Sequence, residues 1–157
     1  MKMTVGSCTR LLKTSLLLFV ALMTLSCATA AGPDRRAKKL LKQSVDLFNG
    51  DIRWQDYETA KKFIPQTQGN SFWAQMDRMK RDIRLTDYEI RDIAFCENGL
   101  SATAKVHYQY WSVESPILRN ATITQKWRFN ERKKIWQVIE PGFKAIRKNS
   151  SDVELRR

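Results

Sequence analysis

Hydrophobic positions repeat along this chain with two periods, and the change from one to the other divides it. Between residues 34 and 79 apolar side chains recur every three or four positions, the spacing of one helix face. From Ile83 onward they recur every second position, the spacing of one strand face. The first pattern predicts three helices. One is capped by Asp34 and runs to about Phe48, with Ala37, Leu40, Leu41, Ser44, Val45 and Phe48 on one face; Asn49-Gly50 is expected to end it. A second spans Asp51 to Ile64, with Trp54, Tyr57, Ala60 and Ile64 inward, and stops at Pro65. A third starts at Asn70 or Ser71 and turns Phe72, Trp73, Met76 and Met79 inward.

The second pattern predicts four strands: Ile83 to about Cys96, Leu100–Val113, Leu118–Asn130 and Ile135–Glu140. In the first, Tyr88 and Ile90 have one parity and Ile93 and Phe95 the other. An extra residue near Arg91-Asp92, a β-bulge, puts all four on one face. Asn98-Gly99 is a two-residue hairpin signal and sets Phe95 opposite Ala102 and Ile93 opposite Ala104. A turn in Glu114-Ser-Pro-Ile117 sets Tyr110 opposite Ala121, Tyr108 opposite Ile123, Ala104 opposite Trp127 and Ala102 opposite Phe129. The polar turn Glu131-Arg-Lys-Lys134 sets Phe129 opposite Trp136, Trp127 opposite Val138 and Gln125 opposite Glu140. One face of this sheet is apolar. The other carries Thr103, Lys105, His107, Gln109, Thr122, Thr124, Lys126 and Arg128. The expected fold class is therefore α+β, with three N-terminal helices packed on a curved four-stranded antiparallel meander.

Ahead of these elements lies a segment of another kind. Lys2, Arg10 and Lys13 precede the apolar run Leu16–Met23, the n-region and h-region of a secretory signal. The run is shorter than the roughly 20 residues of a membrane span. Met23-Thr-Leu-Ser-Cys27 resembles the lipobox of bacterial lipoproteins, with Thr24 where that motif usually has Leu. The resemblance implies a signal peptide over 1–26, acylation of Cys27 and a tether over 27–33. Ala28 in the position after the cysteine implies an outer-membrane destination facing the periplasm. Ala28-Thr-Ala30 offers a competing cleavage site that would release a soluble periplasmic or secreted protein, and an uncleaved anchor is the third outcome.

Charge narrows the partners. The 157 residues carry a formal +12, of which Lys2, Arg10 and Lys13 supply three, leaving +9 after residue 26. Such a surplus favours anionic partners, and in an exported protein these are lipid headgroups or envelope polymers, not nucleic acid. Arg35, Arg36, Lys38, Lys39 and Lys42 follow directly on the tether. They read either as a solvated helix face or as a membrane-surface segment. Chemistry is sparse. Cys8 and Cys27 fall in the leader region, so Cys96 is the one thiol of the domain and no intradomain disulfide can form. One histidine, His107, with outward parity, and one domain cysteine supply too few soft ligands for a zinc site. No cofactor or metal is expected.

The order of these elements resembles the NTF2-like, cystatin-related α+β superfamily over about residues 36–140. The resemblance rests on Asp46-Leu-Phe-Asn-Gly-Asp51, Ala60-Lys-Lys-Phe-Ile-Pro65, Asp87-Tyr-Glu-Ile-Arg-Asp-Ile-Ala94, Ala102-Thr-Ala-Lys-Val106 and Gln125-Lys-Trp-Arg-Phe129, closed by Trp136. It implies a domain over 34–143, a polar tail over 144–157 and a cone-shaped sheet around a helix-lined cavity. Some members are isomerases, dehydratases or epoxide hydrolases; many only bind or dimerise. No catalytic motif carries over, so an accessory or binding role without catalysis is the first expectation. The alternative is a small-molecule enzyme or binder whose cavity is lined by Tyr88, Tyr108, Tyr110, Gln125, Trp127 and Glu140, with Glu140 as general base or merely wet at its strand end. A soluble basic protein binding anionic polymers is the third. Trp111, Val113 and Ile117 mark a patch for a protein partner or homodimer through the sheet.

Overall fold

A computed structural model describes residues 35–97 and 99–146. The leader with Cys27, the tether, Asn98 of the first hairpin turn and the tail from residue 147 lie outside the described residues. Arg35 is described by its backbone alone. The elements are α1 (Arg35–Arg53), α2 (Tyr57–Ala60), two short 3₁₀ turns (Lys61–Phe63 and Gln66–Gln68), α3 (Gly69–Asp82), and strands β1 (Ile83–Phe95), β2 (Ser101–Ser112), β3 (Ser115–Asn130) and β4 (Ile135–Glu140). The strands form one antiparallel sheet in the order β1-β2-β3-β4. Helices packed on a four-stranded antiparallel meander give the expected α+β class.

The first helix does not stop where Asn49-Gly50 suggested. Asn49 faces the core, and its amide nitrogen donates to the Val45 carbonyl at 2.6 Å, one turn back. A buried, bonded asparagine continues the helix. The stop comes at Gln55, held in the left-handed region at φ 63. There the Asp56 N–H donates to Asp51 O at 2.8 Å and the Gln55 N–H to Ile52 O at 3.1 Å, the paired bonds of a Schellman ending. The Asp56 carboxylate then accepts from the Thr59 N–H at 3.1 Å and starts α2. The break is thus displaced by about a turn. Trp54, expected inward, is 75% exposed, and the expected second helix shrinks to α2 and a 3₁₀ turn. In α3, Phe72, Met76 and Met79 are buried and Trp73 is half-buried against Phe72.

Strand pairing follows the parity argument closely. Phe95 faces Ala102 and Ile93 faces Ala104, with a bulge between Ile90 and Asp92 and a second between Leu85 and Asp87. The two bulges keep Leu85, Tyr88, Ile90, Ile93 and Phe95 on one face. Trp127 faces Val138 and Phe129 faces Trp136, also as expected. The β2–β3 register is corrected by two residues. Tyr108 faces Ala121, Val106 faces Ile123, Ala104 faces Gln125 and Ala102 faces Trp127. The turn is Val113-Glu114, tighter than the four-residue turn the sequence suggested, because Ser112 already pairs with Ser115. A step of two leaves every side chain on its face. Between Lys126 and Trp127 the β3–β4 ladder shifts, so Glu140 pairs with Lys126 and not with Gln125.

Aromatic side chains pack between the helices and the sheet. Phe48 of α1 lies against Phe63 at 6.1 Å, Trp127 at 5.7 Å and Phe143 at 6.3 Å between ring centroids. Phe143 also meets Tyr108 at 5.8 Å. Aromatic side chains bury the largest areas per residue, so this cluster dominates the core. Gly142 allows Phe143 its place. Its φ is +80, and a Cβ there would stand 2.6 Å from the Thr124 carbonyl oxygen. Phe143 and Ile146 are both fully buried, which carries the core to the end of the described chain.

Candidate functional site

Among the core side chains one polar cluster stands out. Asn49, Gln125 and Tyr108 are fully buried, and they answer one another. Asn49 Oδ1 accepts from the Tyr108 hydroxyl and from Gln125 Nε2 at 2.7 Å. Gln125 Oε1 accepts from Asn49 Nδ2 at 3.3 Å and from Trp127 Nε1 at 3.3 Å. Burial holds the Tyr108 hydroxyl well above the usual tyrosine pKa, so it stays protonated and donates. At the margin, the Tyr88 hydroxyl donates to Asp46 through both its carbonyl oxygen, 3.0 Å, and Oδ1, 2.9 Å. Partial burial first, and the Asp46 bond second, push Tyr88 up to about 12.

This arrangement corrects the expected cavity. Tyr108, Tyr110, Gln125 and Trp127 do share the inner face, but they are packed and not solvent-lined, and Tyr88 is half-buried at its edge. Glu140 is not among them. It points to the outer face, where Lys126 Nζ lies 3.0 Å from Oε2 and 3.1 Å from Oε1. The β-bulge at Lys126 is the physical reason, since it breaks the parity that would have brought Glu140 to Gln125. The chemistry left to the cluster is structural: every group in it already has a partner. His107 Nδ1 lies 3.1 Å from Thr122 Oγ1 on the outer face. Among the described residues no three His, Cys, Asp or Glu side chains converge on a metal-sized space.

The outer surface of α1 is more distinctive. Arg36, Lys38, Lys39 and Lys42 are exposed there. Leu40, Leu47 and Trp54, seven residues apart along the helix, are 37%, 58% and 75% exposed. Seven residues are close to two turns, so these three lie along one side of the helix. At about 100° per residue Arg36 shares their side and Lys39 borders it, while Lys38 and Lys42 lie across the helix. Arg53 stacks on Trp54 at 4.9 Å while its Nε donates to the Thr86 carbonyl at 2.7 Å. That bond fixes the C-terminal end of α1 against the first bulge of β1. Lys38 reaches over the Phe95 ring at 5.8 Å. Sequence reasoning found the cations but turned Leu40 and Trp54 inward; the seven-residue spacing was the signal that could have found the stripe. Val113, Ile117 and Leu118 are also exposed at the β2–β3 turn, with Trp111 beside them half-buried; Leu100 and Ile135 are exposed as well.

The described residues also line surface grooves. One, of about 630 Å³, lies between α3 and the end of β4 and is lined by Gln75, Arg78, Glu140 and Lys144 among others. Another, of about 300 Å³, lies where the Lys61–Pro65 segment meets β4. No helix among the described residues is long and apolar enough to cross a membrane.

Neither a protein-family model nor a curated protein matches the chain. Solved structures similar to it include a provisionally assigned polyketide cyclase of Xanthomonas campestris, at 12% identity and a TM-score of 0.46, covering 66% of this chain and 90% of that one. Another is a protein of unknown function with a cystatin-like fold from Nostoc punctiforme, at 14% identity and a TM-score of 0.43, covering 69% of this chain and 90% of that one. Likeness at this level assigns no activity to the chain.

Proposed function

We propose that this chain is a lipid-anchored envelope module of the NTF2-like type that binds without catalysing. In this reading acyl groups on Cys27 hold it to the bilayer and α1 lies along the anionic surface. The observation that carries the reading is the outer side of α1, where Leu40, Leu47 and Trp54 stand exposed with Arg36 on the same side and Lys39 at its border, while Lys38 and Lys42 lie further round the helix. An apolar stripe flanked by cations is the composition of a helix lying in a headgroup layer. Tryptophan suits that depth because one end of its ring is apolar and the other donates a hydrogen bond. Arg35 follows Cys27 by eight residues, a reach of at most about 29 Å, so an acylated cysteine would keep α1 close to the membrane. Each cation at an anionic surface adds about 1 kcal/mol. Support for a role without catalysis comes from the inner face, where the buried Asn49, Gln125 and Tyr108 are bonded to one another and Phe48 packs against Phe143.

The experiment is vesicle binding by protein carrying Cys27→Ala, which removes the acyl contribution. It should sediment with phosphatidylglycerol vesicles, lose that binding in high salt, and show Trp54 quenching by lipid with brominated chains. Leu47→Ser with Trp54→Ser should weaken binding severalfold without lowering the melting temperature, since both side chains are exposed. Equal binding to neutral and anionic vesicles, or no quenching of Trp54, would sink the surface-helix reading. Labelled fatty acid that never enters the wild-type band would sink the anchor.

A further inference from the structure

Two buried polar groups stand unanswered at the end of the inner face nearest the β2–β3 turn. Tyr110 of β2 and Arg119 of β3 pair directly across the ladder. Tyr110 is fully buried, and Arg119 has the parity of the buried Ala121, Ile123 and Gln125, so both belong to the inner face. The Tyr110 hydroxyl and Arg119 Nη1 are each shielded from solvent and without a hydrogen-bond partner. Arg119 forms no ion pair among the described residues. Residues directly opposite on antiparallel strands hold their Cβ atoms about 5 Å apart, so the phenol and the guanidinium leave the sheet as neighbours. They do not bond each other, and both keep a hydrogen for a third group.

Exposure along β3 shows how such a group would arrive. On the inner face it falls from 56% at Ile117, through half-buried Arg119, to 7% at Ala121. The pair therefore stands where the wet end of the sheet passes into the core, apart from Asn49, Gln125 and Tyr108, which satisfy one another. Leu85 of β1, opposite Tyr110 on its other side, is half-buried. The acids at this end, Asp82 and Glu114, are exposed, and neither pairs with Arg119. Asp87 lies 3.8 Å from Arg53 instead. The nearby Arg84 is engaged with the Lys80 and Ile83 carbonyls. One guanidinium charge and one phenolic donor are thus left over.

A carboxylate answers both. Arginine can only donate and a tyrosine hydroxyl donates readily, so the two oxygens of a carboxylate accept one bond from each. Its single negative charge matches one guanidinium, whereas a phosphate monoester brings about −1.5 to −2. Arginine also suits carboxylate geometry, and the bond is charge-assisted. The neighbouring positions on the same face, Leu85 and Ile117, are apolar. We propose that Tyr110 and Arg119 bind the carboxylate of a small acid that enters at the β2–β3 end of the inner face and lays an apolar body against Ile117 and Leu85. The site rests neither on acylation of Cys27 nor on the outer side of α1.

The test uses the full mature chain labelled with nitrogen-15, with octanoate below its micelle concentration as the probe. The Arg119 Nε–H resonance should move to saturation. Calorimetry should find octanamide, which has the same chain without the charge, and acetate, which lacks the apolar body, each at least tenfold weaker. Arg119→Gln should weaken octanoate at least tenfold, while neutralising Arg36 and Lys39 should leave it unchanged. Tyr110→Phe should weaken octanoate severalfold without lowering the melting temperature of the ligand-free protein, a split that a packing role cannot produce. A Tyr110→Phe variant that melts lower by as much as Tyr108→Phe would show that a held water already serves the hydroxyl, and would overturn the proposal. Octanoate that does not saturate, or that binds no better than octanamide, would overturn it as well.

Discussion

Replacing Asn49 with leucine tests whether the buried polar cluster holds the helix to the sheet. The two side chains have the same number of heavy atoms and leucine is the better helix former, so any loss of stability comes from hydrogen bonding. In the native protein Asn49 Oδ1 accepts from the Tyr108 hydroxyl and from Gln125 Nε2, and all three residues are fully buried. Asn49→Leu removes the acceptor and leaves two donors in an apolar space. Each orphaned buried donor costs about 1–3 kcal/mol, so the loss should be about 2–5 kcal/mol after the gain from a more apolar side chain. In a domain of this size that lowers the melting temperature by roughly 10–25 °C. Adding Tyr108→Phe to Asn49→Leu removes one orphan and should recover about 1–2 kcal/mol. Tyr108→Phe alone should cost about 1 kcal/mol, because it deletes a bonded hydroxyl. Urea titration of the four proteins closes the cycle. The reasoning is refuted if the double variant is no more stable than Asn49→Leu, or if Asn49→Leu itself costs under about 0.5 kcal/mol.

Other expectations follow from single contacts. The Tyr110 hydroxyl is buried and has no hydrogen-bond partner among the described residues, so Tyr110→Phe should be neutral or stabilising in the same titration, the opposite of Tyr108→Phe. Ala104 is fully buried opposite Gln125, and Ala104→Phe should overpack by about 1–3 kcal/mol, whereas Thr103→Phe, on the other face, should cost far less. Gly142→Ala should destabilise by more than about 1 kcal/mol, because the new Cβ meets the Thr124 carbonyl in a left-handed backbone. Tyr88 titrates near 12 in the folded state against about 10 unfolded. Its contribution is complete below pH 10 and is lost as pH rises from 10 toward 12. The urea midpoint should therefore fall between pH 9 and 11, and fall less in Tyr88→Phe.

Strands were legible because alternation is a local property. Both neighbours of β2 kept their predicted faces, and the Asn98-Gly99 spacing gave the β1–β2 register outright. The β2–β3 register was missed by two because apolar parity is unchanged by a step of two, and Glu114-Ser-Pro-Ile117 offers more than one turn. Glu140 was misplaced because a bulge between Lys126 and Trp127 has no composition signal. The end of α1 was misread for a related reason. Asn-Gly is a stop signal only when the asparagine is free to leave the helix, and Asn49 is held by Gln125 and Tyr108, residues 76 and 59 positions away. The stop that does operate uses Gln55 in a conformation that glycine or asparagine usually takes. The cations of α1 were visible at once.

The polar cluster has a consequence for how the chain reaches this arrangement. A hairpin of β2 and β3 slipped by two residues would keep Tyr108, Tyr110, Ile123 and Trp127 on the same side, so hydrophobic collapse alone cannot tell the slipped pairing from the right one. The slip would carry Gln125 about 6–7 Å along the strand relative to Tyr108, out of hydrogen-bond reach of an acceptor that must serve both. Asn49 can satisfy the hydroxyl and the amide together only in the observed register. It therefore acts as a proofreading contact, indifferent to whether a sheet forms and selective for which sheet forms. Variants that remove it should fold to a mixture of pairings before they fail to fold, visible as doubled resonances for residues of β3 in a chain that is still compact.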